Sequence, residues 1–212
     1  MVPRINRNDI GIAVIDVQSF FLDLAIPDPS QQESLLFRLE HLLMLADWMD
    51  LPTLVTFEIP TADNGELPDR LERVLPAGAH RFEKDHFGSL SEPEIAAAFE
   101  GMGVKQIAVA GAETDVCILQ TTLGLLDRGF ETFLLEDCLF TTEPHTGPAL
   151  RRMYSAGALP TTTKILAYEL VARVTDIPWY PEGWALGQHP DTKPFPESFI
   201  PPEQWPPWNA QV

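Results

Sequence analysis

Cysteine is nearly absent from this chain, with only Cys117 and Cys138 in 212 residues. Two thiols cannot build a disulfide framework, and so low a count fits a reducing compartment. Basic residues are also scarce. The balance is 14 basic against 31 acidic, a formal net charge of −17, which argues against nucleic acid or an anionic membrane as a partner. The acidic residues are spread through the chain instead of being gathered in one tail, so the surplus reads as a solvated surface. No run of about 18 apolar residues exists, and the opening MVPRINRND lacks the apolar centre of a signal peptide. The expectation is a cytoplasmic protein without a membrane span.

Other absences narrow the chemistry. The five histidines, His41, His80, His86, His145 and His189, show no i, i+4 ligand spacing, and none falls between His41 and His80. No metal and no cofactor is therefore expected. The turn after the first apolar run reads DVQSFF, with no G-x-G-x-x-G for a dinucleotide. The same turn places Gln18 where an aspartate-nucleophile phosphatase would carry its second acid.

With 45% hydrophobic residues the chain can bury a core without staples. Apolar strand-like runs cover 10–16, 53–58, 79–82, 104–110, 131–136 and 159–162. Helical patterns fill the gaps, at 31–49, 92–101, 114–128, 144–156 and 164–174. Alternation of this kind predicts βαβ units on a parallel sheet. In the fourth-strand unit, Val116, Leu119, Leu123 and Leu126 recur at helical spacing, and Gly129 is placed to cap the helix.

Three chemically capable residues come at or near strand ends: Asp16 closes IGIAVID, Lys84 follows HRFE, and Cys117 follows the break at Gly111. In a parallel sheet those ends share one edge, where ligands bind. A thiol on the first turn of a helix is favoured as thiolate by the unpaired N–H groups and the macrodipole. Cys138, after FETFLLED, reads as a small buried or rim residue instead of a disulfide partner.

The segments VIDVQSFF, FEKDHFGSL and GAETDVC, taken together, resemble the isochorismatase-like cysteine hydrolases. The resemblance continues through ILQTTLGLLDRGFETFLLEDC and ALRRMYSAGALPTTTKILAYEL, and covers roughly 8–175. It implies a three-layer α/β/α Rossmann-like domain with a six-stranded parallel sheet in the order 3-2-1-4-5-6. It also implies a catalytic set of Asp16, Lys84 and Cys117. Cys117 would attack the carbon of a small amide or ureido compound and form a thioester, Asp16 would carry protons, and Lys84 would stabilise the sulfur anion and orient Asp16. A cis Ala112–Glu113 peptide is implied too, with the Glu113 and Cys117 N–H groups as an oxyanion hole.

Departures from the family pattern refine the reading. Nicotinamidases carry an Asp and several His after the second strand, where this chain reads TFEIPTADNGELPDR, and enzymes that cleave the vinyl ether of isochorismate lack the cysteine. The alternative is a fold without amidase turnover, acting as an interaction protein or on a vinyl-ether-type substrate. Loops after Asp16, Glu58 and Lys84 would shape the pocket, making Gln18, Phe21, Glu58, His86 and Phe87 the candidate substrate-binding residues. Phe21 and Phe87 read equally well as core. Residues 1–177 form the expected hydrolase domain. The remaining 178–212 hold nine of 20 prolines and four of five tryptophans, and are expected to cover part of the domain or a neighbouring subunit of a homo-oligomer.

Overall fold

The structure, a computed structural model, describes residues 3–173. The expected arrangement of the 178–212 extension lies outside them. Six strands, β1 (Ile10–Ile15), β2 (Thr53–Glu58), β3 (His80–Lys84), β4 (Gln106–Gly111), β5 (Glu131–Leu139) and β6 (Leu159–Thr161), form one sheet in the order β3-β2-β1-β4-β5-β6. Every pairing is parallel, as the alternation of strand and helix patterns predicts.

The central strands are buried on both faces. Ile12 and Val14 of β1 point to one apolar layer, and Ala13 and Ile15 to the other. The same alternation places Ala108 and Ala110 of β4 opposite Ile107 and Val109. A strand with two apolar faces has no polar side to alternate, which is why IGIAVI and QIAVAG read as nearly continuous hydrophobic runs.

One face is covered by α2 (Pro29–Trp48) and α8 (Thr163–Val171), the other by α5 (Pro93–Gly101), α6 (Cys117–Asp127) and α7 (Gly147–Ala156). Local signals set several ends. Asp28 accepts from the Ser30 amide at 2.9 Å ahead of Pro29, so a side-chain cap and a first-turn proline start α2. At the far end of α6, Gly129 has φ +84°, and the amides of Gly129 and Phe130 bond to the carbonyls of Leu126 and Leu125. That pair of bonds is a Schellman closure and satisfies carbonyls the helix leaves open.

Five elements differ from the sequence reading. Short α1 (Ser19–Ala25), α3 (Thr61–Asn64) and α4 (Asp69–Glu72) follow β1 and β2, where loops were expected. Strand β5 continues to Leu139, because a register shift against β4 between Val109 and Gly111 lets pairing resume beyond the irregularity. Helix α6 begins at Cys117 itself and not at Thr114, since Val116 has φ −119° and ψ −89°, outside the helical region.

Candidate active site

Four adjacent strands deliver side chains to the C-terminal edge of the sheet. Asp16 follows β1, Glu58 ends β2, Lys84 ends β3, and β4 leads through a short turn to Cys117 at the start of α6. Glu58 and Lys84 are direct register partners. The chain leaves β1 abruptly at Asp16, which has φ +49°. Its amide is held by the Thr56 carbonyl at 3.1 Å.

The Asp16 carboxylate is 1% exposed and bound on both oxygens: Thr56 Oγ1 donates to Oδ1 at 2.8 Å, and Lys84 Nζ lies 2.7 Å from Oδ2. The approach of Lys84 is too oblique for a well-directed hydrogen bond, so Oδ2 retains accepting capacity. Lys84 Nζ also donates to Cys117 Sγ at 3.5 Å. The thiol in turn donates to Glu58 Oε2 at 3.3 Å, and that oxygen is 3.7 Å from Lys84 Nζ.

Asp16, Glu58 and Cys117 each offer a ligand-type atom within 4.8 Å of the others. The cation among them is an ammonium, since Lys84 Nζ lies 2.7, 3.7 and 3.5 Å from an atom of each.

Burial dominates the electrostatics. It raises Asp16 above the usual carboxylate range, with Lys84 and Thr56 pulling it back. Burial opposes the charge on Lys84, yet Asp16, Cys117 and Glu58 together hold its ammonium above the ordinary lysine value. The thiol is where the structure corrects the sequence. A helix start beside a lysine predicts a depressed thiol pKa, but burial and then the Asp16 and Glu58 carboxylates push Cys117 upward, outweighing Lys84. The contact in which Sγ donates to Glu58 Oε2 fits a protonated thiol, with the Asp16 carboxylate close by.

The turn preceding Cys117 is fastened to the segment after β5. Glu113 Oε1 accepts from the Thr142 amide at 3.0 Å and hydroxyl at 2.6 Å, and Asp115 Oδ1 accepts from Thr141 Oγ1 at 2.6 Å. The Ala112–Glu113 peptide is cis, as the family resemblance implies. Among the described residues the Glu113 and Cys117 amides have no protein acceptor. At Gly111 the strands nearly touch: φ is +117°, and a Cβ there would lie 1.9 Å from the Ile15 carbonyl oxygen.

The outer candidates divide. Gln18 is completely buried and clamps the backbone at the end of β2. Its Oε1 accepts from the Glu58 amide at 2.8 Å, and its Nε2 donates to the Glu58 and Gly65 carbonyls at 3.1 and 2.8 Å. It orients Glu58 from behind. His86 is 61% exposed in its side chain and bound through Nδ1 to Glu92 at 2.8 Å, apart from the buried cluster. With backbone amides of His86 and Asp85 assisting, this contact draws Glu92 down to about 2. Phe87 is 53% exposed and so is not core, whereas Phe21 is half-buried against the core. Two supporting residues escaped the sequence reading, Thr56 under Asp16 and Asn64, whose Nδ2 donates to the Glu58 carbonyl at 3.0 Å. A threonine at the middle of the buried run TLVTFE was the available signal for the first.

A doubly wound parallel sheet brings a carboxylate, an ammonium and a thiol together at its strand ends, where such folds bind ligands. The chain belongs to the isochorismatase-like hydrolase family, its residues 11–165 matching the isochorismatase domain. It is 27% identical over 169 residues to "Probable hydrolase YcaC" of Escherichia coli (strain K12), covering 79% of this chain and 80% of that one. The solved structure of the E. coli protein, described as an octameric hydrolase of unknown specificity, superposes with TM-score 0.76 at 27% identity over 83% of this chain and 86% of that one. YcaC from Pseudomonas aeruginosa, solved with hexane-2,5-diol and covalent acrylamide, gives TM-score 0.76 at 26% identity, covering 83% and 87%. Among the described residues no helix is long and apolar enough to cross a membrane.

Proposed function

We propose that this chain is a cysteine-dependent hydrolase that cleaves a C–N bond of a small amide or ureido compound. The observation that carries the reading is the contact geometry of three buried groups: Lys84 Nζ bridges Asp16 Oδ2 at 2.7 Å and Cys117 Sγ at 3.5 Å. The P. aeruginosa relative was solved with covalent acrylamide, an electrophile that thiols attack at its vinyl carbon, which supports a reactive nucleophile more than amide cleavage.

As the substrate carbonyl approaches Sγ, Asp16 takes the thiol proton and the sulfur bonds to the carbon. Electrons move to the oxygen, which the Glu113 and Cys117 amides receive as donors. Collapse of the adduct breaks the C–N bond, with Asp16 returning its proton to the departing nitrogen. Water then attacks the thioester, Asp16 removes a proton, and the acid product leaves as the thiol is restored. Lys84 keeps its proton throughout. Its charge stabilises the transient thiolate and becomes more valuable in a dry site than in water.

The test is a panel of amides, ureides and carbamoyl compounds, with ammonia or amine release followed for the native protein and for Cys117→Ala. Turnover abolished by the substitution is expected. Release that persists unchanged in Cys117→Ala would exclude the thiol as nucleophile. The hydrolase domain is taken as residues 1–177, and the protein as a homo-oligomer. Light scattering on the full chain checks the assembly, and a monomeric mass would overturn that part of the reading.

A further inference from the structure

Glu58 stands apart from the other members of the cluster. Asp16 and Lys84 are sealed, with side chains 1% and 0% exposed, whereas the Glu58 side chain is 21% exposed. It is thus the charged group of the cluster that solvent reaches, yet its Oε2 touches the reacting sulfur at 3.3 Å. Gln18 and Asn64 hold its backbone through three hydrogen bonds, one at the Glu58 amide and two at the Glu58 carbonyl, and Gln18 adds a fourth to the Gly65 carbonyl. A carboxylate rooted so firmly is preorganised to receive a donor.

The cluster's charge also has a sign. Two carboxylates, Asp16 and Glu58, face one ammonium, and the Lys84 charge is directed inward to Asp16, Sγ and Glu58. An approaching molecule therefore meets net negative charge at the nucleophile. When the thiol surrenders its proton, Glu58 Oε2 loses the donor it holds at rest and needs another.

Resting on the amide-hydrolase reading above, we infer that Glu58 is the specificity-determining residue of the site. It selects compounds whose group beside the scissile carbon presents N–H donors or positive charge, such as ureido, amidino or amino-bearing amides, and disfavours those with a carboxylate there. An anionic group next to Glu58 would set like charges together in a poorly solvated mouth, whereas an N–H donor replaces the bond the thiol gave.

The test uses charged thiol reagents, so it does not depend on turnover. Methanethiosulfonates bearing a trimethylammonium or a sulfonate arm are reacted with the full-length protein, and labelling of Cys117 is followed by peptide mass spectrometry. The cationic reagent should label faster, and Glu58→Gln should reduce the cation-to-anion rate ratio by about tenfold. Glu100→Gln removes an equal charge at the end of α5, the helix that leads into the opposite edge of the sheet, and should leave the ratio unchanged. A ratio unaffected by Glu58→Gln, faster labelling by the anion in the native protein, or an equal effect from Glu100→Gln would each overturn the inference. A silent amide panel with the labelling pattern intact would instead count against the amide-hydrolase reading alone.

Discussion

Lys84 and Asp16 form an ion pair of 2.7 Å with both side chains removed from solvent. Neither charge is tolerable there alone, because an unpaired buried ion keeps its desolvation penalty and loses its compensation. Lys84→Met should therefore destabilise the protein by roughly 3–5 kcal/mol. The double variant Asp16→Asn/Lys84→Met should recover a substantial part of that loss. Urea denaturation of the two single variants and the double variant checks it, and strict additivity would show that the pair is not coupled.

Activity should fall on acidification at a pH above the ordinary carboxylate range. Asp16 must be ionised to accept the thiol proton, and burial raises its pKa. Thr56 Oγ1 donates to the ionised form and lowers that pKa. Thr56→Val should therefore move the acid limb of kcat/KM further toward neutrality. A limb that does not move would remove Asp16 from the proton-carrying role.

Alkylation of Cys117 by iodoacetamide should climb with pH into the alkaline range without levelling off near neutrality, because burial and two carboxylates hold the thiol proton on. Cys138 should label more slowly still. It is fully buried and lies 3.2 Å from Thr163 Oγ1. Peptide mapping across a pH series separates the two sites, and a plateau for Cys117 below pH of about 8 would reveal a preformed thiolate.

Stability should decline as pH falls below the histidine range. His41 lies on α2 against Phe37, and burial lowers its pKa from 6.5 to about 4, with its bond to the Phe37 carbonyl opposing. Between those values the unfolded chain binds a proton that the folded protein refuses. Its contribution is present in full above 6.5 and is lost progressively as pH falls to about 4. The span corresponds to about 3 kcal/mol. His41→Leu should flatten this part of the stability profile measured by thermal or urea unfolding.

The parts of the fold that sequence made legible share a physical cause. Strand β2, Thr53–Glu58, was read with its observed limits because a buried run lies between Pro52 and Pro60, neither of which can donate a ladder hydrogen bond. Helix α1 was missed for the opposite reason. It spans seven residues, and Phe20 and Leu24, which recur at helical spacing, are 48% and 59% exposed, so its apolar pattern does not mark a core face.

Legibility of the site followed topology. Asp16, Lys84 and Cys117 could be assigned to one sheet edge, since parallel strands bring their ends together whatever their distance in sequence. The state of the thiol could not. That depends on Glu58 Oε2 standing 3.3 Å from Sγ and on how deeply the group is buried, neither of which a strand-end position reveals. Gln18 illustrates the same limit: its place after β1 suggested the pocket, whereas its side chain turns behind Glu58 to hold backbone.

The close approach at Gly111 divides the site into unlike halves. Ile15 directly precedes Asp16, and its carbonyl oxygen both accepts the Ala112 amide at 2.9 Å and fills the space a Gly111 side chain would need. Asp16 and the turn leading to Cys117 are thereby joined along a backbone seam. Any drift of one drags the other. Selectivity is therefore better redesigned at partly exposed side chains, such as Glu58 at 21% and Phe87 at 53%, than at the seam.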